Sequence, residues 1–136
     1  MKLVLEIITP IKVVLSEEVD EVTLPTVDGE ISILPNHVNL LTKVVAGEMV
    51  VHKGSHTDLF AVTGGFLEIA NNHVNILADY AIHAEDIEIA KVEEAKERAQ
   101  KAMKEKLSEE DFRVANAELA KSLLQLKVAH KRKVRI

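Results

Sequence analysis

The sequence predicts a β + α chain: an N-terminal antiparallel β-sandwich of about ten short strands over residues 1–84, followed by a C-terminal antiparallel two-helix hairpin over residues 85–136. Three observations predict it. All five glycines and all three prolines stand at or before Gly65, so turns are confined to the first part and nothing interrupts a helix in the second. The apolar period changes from two to three and four beyond Ala84. Charge changes at the same place: residues 1–84 hold four basic and eleven acidic side chains, and residues 85–136 hold thirteen and eleven.

In chain order, strands are expected at residues 3–8, 12–16, 21–24, 29–34, 40–45, 48–52, 57–62, 65–70 and 73–78. Each is a short alternating run rich in Val, Ile, Leu and Thr, bounded by turn residues, the pattern of a sandwich or flattened barrel. Within residues 29–41 the run Gly29-Glu30-Ile31-Ser32-Ile33-Leu34 breaks at Pro35-Asn36-His37 and is read as returning to the core at Val38-Asn39-Leu40-Leu41. Asn71-Asn72 separates two alternating runs, and asparagine tolerates the positive φ of a two-residue hairpin turn.

The helical part reads as two stripes. Val92, Ala95, Ala99, Ala102 and Met103 recur at helical spacing, as do Phe112, Ala115, Leu119, Leu123 and Leu126. Ser108 is a suitable N-cap, with Glu109, Glu110 and Asp111 in the positively polarised first turn, so the break between the helices is expected at residues 106–108. So short a connection makes the helices antiparallel. The first stripe is mostly alanine, which lets the helices approach closely but buries little apolar area. Val114, Ala117, Leu124 and Val128 widen the apolar face of the second helix, so further packing is expected beyond its hairpin partner.

Composition excludes several functions. A net charge of −5 argues against general nucleic-acid binding. The absence of cysteine removes disulfides, thiolate nucleophiles and zinc–thiolate sites. The apolar start is broken by Glu6, Pro10 and Lys12, well short of the roughly 18 residues of a spanning helix, so a soluble chain on the cytoplasmic side is expected.

The candidate sites are few. His52 and His56 flank what reads as a hairpin turn, Lys53-Gly54-Ser55, and no metal is expected there. Thr63-Gly64-Gly65 lacks the spacing and following helix of a phosphate loop and is read as a tight turn or bulge. There is no Gly-x-Ser-x-Gly elbow and little aromatic material for a pocket, so no catalytic residue is expected. After Glu118 the chain holds six basic residues and no acidic one. These read either as cations favoured at a helix C-terminus that keep a tail soluble or, from Lys127 onward with Lys131, Arg132, Lys133 and Arg135, as a basic arm for an acidic protein surface.

Three stretches in order then resemble the epsilon subunit of the F-type ATP synthase over essentially the whole chain. They are Gly29-Glu30 through Pro35-Asn36-His37 to Leu40-Leu41; Gly64-Gly65-Phe66-Leu67-Glu68-Ile69 followed by Asn72 and Val74-Asn75-Ile76-Leu77-Ala78-Asp79; and the alanine-rich helical hairpin after Ala84. The resemblance implies a non-catalytic central-stalk rotor subunit, peripheral on the cytoplasmic face of a bacterial plasma membrane. Its implied partners are the gamma subunit, the membrane c-ring and the alpha/beta catalytic ring. It implies that Glu30, Pro35, Asn36 and His37 face the c-ring on one stiff loop, and that the hairpin opens, carrying the basic arm to the catalytic beta subunits to inhibit ATP hydrolysis. No resident cofactor is implied. Some bacterial relatives bind ATP as a regulatory ligand through Ile/Leu-Asp-x-x-Arg-Ala, matched here by Ile87-Glu88-Ile89-Ala90-Lys91-Val92. Glu88 replaces aspartate, Lys91 lacks the planar fork of arginine and Val92 adds bulk, and all three weaken that site. The alternative is a stand-alone β-sandwich interaction module whose helices self-associate.

Overall fold

The computed structural model describes residues 2–105 and 108–135, with side chains up to Lys131. It forms two compact units, Met1–His83 and Ala84–Ile136.

The first unit is built from ten strands. Its strands are β1 (Leu3–Ile8), β2 (Val13–Val19), β3 (Glu21–Thr26), β4 (Gly29–Ile33), β5 (Leu40–Val44), β6 (Gly47–Lys53), β7 (His56–Val62), β8 (Gly65–Ala70), β9 (His73–Ala78) and β10 (Ala81–His83). They pair in the order β10-β7-β6-β3-β5-β8-β9-β1-β2, with β4 on the other edge of β3. Every pairing is antiparallel except β1 with β9, which run parallel. Strand β3 is the fold's corner. Glu21, Val22 and Thr23 pair with β6, whereas Thr26 pairs with Val44 of β5, so one strand passes from one layer of the sandwich to the other.

Alternation fills the space between the layers. Leu3, Leu5 and Ile7 of β1, Val22 and Leu24 of β3, Met49 and Val51 of β6, Phe60 and Val62 of β7, Leu67 and Ile69 of β8 and Val74 and Ile76 of β9 make one buried cluster. The tenth strand, β10, is three residues long and follows Asp79-Tyr80 without a period of its own, which is why alternation did not reveal it. The Asn71-Asn72 hairpin forms as expected, with φ of 50° and 63°. At Gly64-Gly65 the chain leaves β7 for β8; Gly65 takes φ 145°, and a Cβ there would overlap the carbonyl oxygen of Leu77.

The second unit opens with a 3-10 turn (Ala84–Asp86) and continues as α1 (Ile89–Met103) and α2 (Glu109–Arg135). Ser108 caps α2: its Oγ accepts from the Asp111 amide at 3.1 Å. The rest of the expected break, residues 106 and 107, lies outside the described residues. The alanine stripe of α1 is confirmed, with Val92 and Ala99 buried. The stripe of α2 is not the expected one. Phe112 and Leu123 are exposed, and the buried positions are Ala115, Ser122, Gln125, Leu126, Val128 and Ala129, with Leu119 half-buried. The path 115, 119, 122, 126, 129 is a regular three-four alternation; Leu123 stands one residue, about 100° of rotation, off it.

Candidate functional site

Residues 35–37 form a clasped loop. Asn36 has φ 68°, the left-handed region that asparagine visits most readily among non-glycine residues. Its amide donates to Asn72 Oδ1 at 2.6 Å, and the Asn71 amide donates to Asn39 Oδ1 at 3.4 Å. Two side-chain amides thus tie this loop to the β8–β9 turn. The His37 ring donates from Nδ1 to the Val38 carbonyl at 2.7 Å, and the His37 amide donates to Leu34 O at 3.2 Å. The segment after the loop does not return wholly to the core: Leu40 packs against it, whereas Val38 and Leu41 are 76% and 70% exposed.

Glu30 is not brought together with this loop. It pairs with Pro25 at the start of β4, whereas residues 35–37 follow the other end of that strand, and the four steps from Glu30 to Leu34 alone span roughly 13 Å. Register fixes what else shares each end. The Glu30 end gathers Thr26, Val44, Gly65, Leu77, Ile8 and Val13; the His37 end gathers Leu40, Ile69, His73 and Val4. The expected single loop is therefore two sites at opposite ends of the sandwich.

The Glu30 end carries two threonine-braced turns that sequence reading passed over. Thr26 Oγ1 donates to Gly29 O at 2.7 Å and accepts from the Asp28 amide at 3.2 Å, closing the β3–β4 turn. Thr9 Oγ1 donates to Lys12 O at 3.2 Å and accepts from the Lys12 amide at 3.3 Å, closing the β1–β2 turn. The β3–β4 turn displays the exposed Val27 next to the exposed Asp28 and Glu30, and the β1–β2 turn displays the exposed Ile11 at the same end. The signal was present: a threonine three residues before the turn's end, with an apolar residue between them that fits no strand alternation.

An apolar row crosses the outer face of the neighbouring layer. Register places Phe66, Leu77, Ile8 and Val13 side by side on β8, β9, β1 and β2. Phe66, Leu77 and Val13 are 50%, 55% and 56% exposed, so this is a contiguous patch and not scattered singletons.

The remaining expected sites are dispersed. Lys91 Nζ lies 3.0 Å from Glu88 Oε2 at the start of α1, both side chains being mostly exposed, so the two groups matched to a nucleotide motif face each other. His52 Nδ1 lies 3.2 Å from Thr57 Oγ1 and His56 Nε2 lies 3.6 Å from Asp58 Oδ1, either side of the turn predicted at Lys53-Gly54-Ser55, of which Lys53 ends β6. Among the described residues no group of three or more potential ligands could hold a metal. Lys127 and Lys131 are exposed near the end of α2, while the side chains of Arg132, Lys133 and Arg135 lie outside the described residues. Among the described residues no helix is long and apolar enough to cross a membrane.

Both units match known families. Residues 2–84 match the family described as ATP synthase, Delta/Epsilon chain, beta-sandwich domain, and residues 85–130 match ATP synthase, Delta/Epsilon chain, long alpha-helix domain. The ATP synthase epsilon chain of Herpetosiphon aurantiacus is 42% identical over 99% of both chains. The chain belongs to the ATP synthase epsilon-chain family. Another family member, from Desulforamulus reducens, is 41% identical, covering 92% of this chain and 95% of its own. Among solved structures, a chain of the Euglena gracilis mitochondrial ATP synthase has the same fold at a TM-score of 0.66 and 21% identity, over 98% of this chain and 81% of that one. A chain of the Tetrahymena thermophila central stalk and c-ring follows at 0.59 and 15%, over 95% and 97%. The expected β-sandwich followed by helices is thus the fold of this family.

Proposed function

We propose that this family member works as a central-stalk rotor subunit of an F-type ATP synthase, and that its three surfaces divide the work. The observation that carries the reading is the outer row Val13, Ile8, Leu77 and Phe66. A four-strand apolar row on a rigid sheet is suited to a lasting contact, and the gamma subunit is the partner assigned to it. The Glu30 end, with Ile11 and Val27 on braced turns, is assigned to the polar loops of the c-ring: a carboxylate gives polar complementarity while the two apolar tips exclude water around it. The clasped 35–37 loop at the other end is withdrawn from that role.

The helical unit is assigned a regulatory role. At about 1.5 Å per residue the 27 residues of α2 span about 40 Å, so a hairpin that opened would carry Lys127 and the residues beyond it far from α1. There the basic arm would meet acidic segments of the catalytic ring and oppose hydrolysis. A soluble part that reaches the membrane only through its complex fits a peripheral place on the cytoplasmic face of a bacterial plasma membrane. Glu88 and Lys91 are not assigned to ATP, because Glu88 stands where the motif has aspartate and Lys91 lacks the planar fork of its arginine.

The test is co-purification with gamma. Wild-type chain should give a stable one-to-one complex, and Phe66→Glu with Leu77→Glu should abolish it while leaving the fold intact. A self-associating chain that ignores gamma would overturn the reading. Deleting residues 108–136 should raise ATP hydrolysis of the assembled enzyme without abolishing synthesis; unchanged hydrolysis would remove the regulatory assignment alone.

A further inference from the structure

We propose that Glu68 and Glu6, whose carboxylates flank the apolar row of the outer face, steer and select the partner that docks there: a gamma surface whose apolar strip is bordered by lysine or arginine. The inference rests on the assignment of that row to gamma and adds the charge that gamma must carry.

Alternation puts the next outward-facing row two residues along each strand. Register sets it out as Leu41, Glu68, Asn75, Glu6 and Ser16, on β5, β8, β9, β1 and β2. It runs beside Phe66, Leu77, Ile8 and Val13 at roughly 7 Å, two residues of strand rise. Glu68 is exposed and Glu6 half-buried. Only β9 separates them, so two strand spacings put them on the order of 10 Å apart. Asn75 stands between, its Nδ2 at 3.5 Å from Glu68 Oε1. In the row after it Val4 is in register with Glu18, which adds a third carboxylate at the β2 edge. Among the described residues neither Glu68 nor Glu6 is in an ion pair, although Lys43, in register with Phe66, stands diagonally across from Glu68. Lys2 and Lys53 are engaged elsewhere, by Asp20 at 3.2 Å and Glu17 at 3.5 Å.

Burial of an apolar row is non-directional and does not by itself tell one apolar strip from another. Two unpaired carboxylates beside it do. A partner that lays an acidic group against them meets like-charge repulsion, and one that lays an apolar group there desolvates them with no bond in return. Two cations about 10 Å apart, bordering an apolar strip, satisfy both rows at once. The field of the whole unit has the same sign, since residues 1–84 hold eleven acidic and four basic side chains, and it draws a basic surface in from a distance. Charges at the rim of a contact act mainly on the rate of association, whereas the buried apolar contact acts on dissociation. The acidic row therefore governs approach and the apolar row governs lifetime.

The test is to measure association and dissociation rates of the full-length chain on immobilised gamma at rising salt. The wild-type association rate should fall about tenfold between about 50 and about 500 mM salt. Glu6→Gln with Glu68→Gln should lower it about threefold to tenfold at low salt, flatten its salt dependence and leave dissociation within about twofold. Glu93→Gln with Glu94→Gln removes the same two charges from exposed positions on α1 and should leave association within about twofold. A wild-type rate indifferent to salt, or a Glu6 and Glu68 variant that associates like the wild type or like the α1 variant, would overturn the steering role and leave gamma as the partner. No complex with gamma at any salt would overturn the gamma assignment and this inference with it.

Discussion

The sandwich and the hairpin bury their residues by opposite means. The sandwich packs Phe60, Met49, Leu67 and Ile69 into one closed cluster, each fully removed from solvent. The hairpin faces alanines with Ala115, Ser122 and Gln125, and its turn end leaves an open cleft of about 330 Å³ between Ala95, Ala99 and Ala102 on one side and Val114 and Ala115 on the other. Dispersion and apolar burial both scale with atoms in contact, so the side chains of the first unit are held by more burial than those of the hairpin seam.

The strongest way to break that contrast is to make the core resemble the seam. Phe60→Ala should destabilise the chain by about 3–5 kcal/mol, read as a lower urea midpoint for loss of the sheet signal. Val92→Ala in the seam should cost about 1–2 kcal/mol and lower the helical signal alone. Equal effects of the two on sheet unfolding would mean that both units unfold as one, and that the seam is no weaker than the core.

A second comparison lies within the sandwich, between its two ends. Asn72→Ala removes the acceptor for the Asn36 amide and also places alanine at φ 63°, so about 1–3 kcal/mol should be lost. Asn72→Gly keeps the backbone and removes only the bond, and should cost less. If both variants cost the same, the clasp contributes through the side chain only; exchange of the Asn36 amide would report which bond opened.

What the sequence made legible follows from the range of each interaction. Alternation and glycine placement are local, so nine strands, the Asn71-Asn72 turn and the Ser108 cap could be read directly. The position of Glu30 relative to His37 depends on how β4 runs against β3 and on β3 changing partners between β6 and β5, and no local pattern encodes that. The same holds for the row from Phe66 to Val13, assembled from four strands, one pair of them parallel. In α2 the hydrophobic spacing included Leu123 and Phe112, but the buried path runs through Ala115, Leu119, Ser122, Leu126 and Ala129, and Ser122 carries no apolar signal from which that face could be read.

Separation of the ends yields a functional test with a smaller effect. Glu30→Ala should weaken association with isolated c-ring by about two- to fivefold, as expected for one exposed polar contact, and His37→Ala should leave it unchanged. Equal losses would put both residues back on one face and undo the assignment of the two ends.

The smallest expected effect concerns Asp20, at the His37 end. Its Oδ2 accepts from the Gly54 amide at 2.6 Å in the β6–β7 turn, and Lys2 Nζ lies 3.2 Å from Oδ1. The Gly54 hydrogen bond first, and Lys2 second, hold its carboxyl below the ordinary value of 3.8. A carboxylate depressed in this way stabilises the fold above its ordinary value, and that contribution disappears as pH falls from there through the lowered one. Asp20→Asn offers Gly54 a neutral acceptor in the same place, so it should lower the melting temperature slightly at pH 7, and the difference from wild type should close as pH falls through the lowered value. Salt should erase only the part due to Lys2, because the bond to Gly54 is made at contact and is not screened. A difference that persisted in acid would mean that the amide geometry, and not the charge, holds the turn.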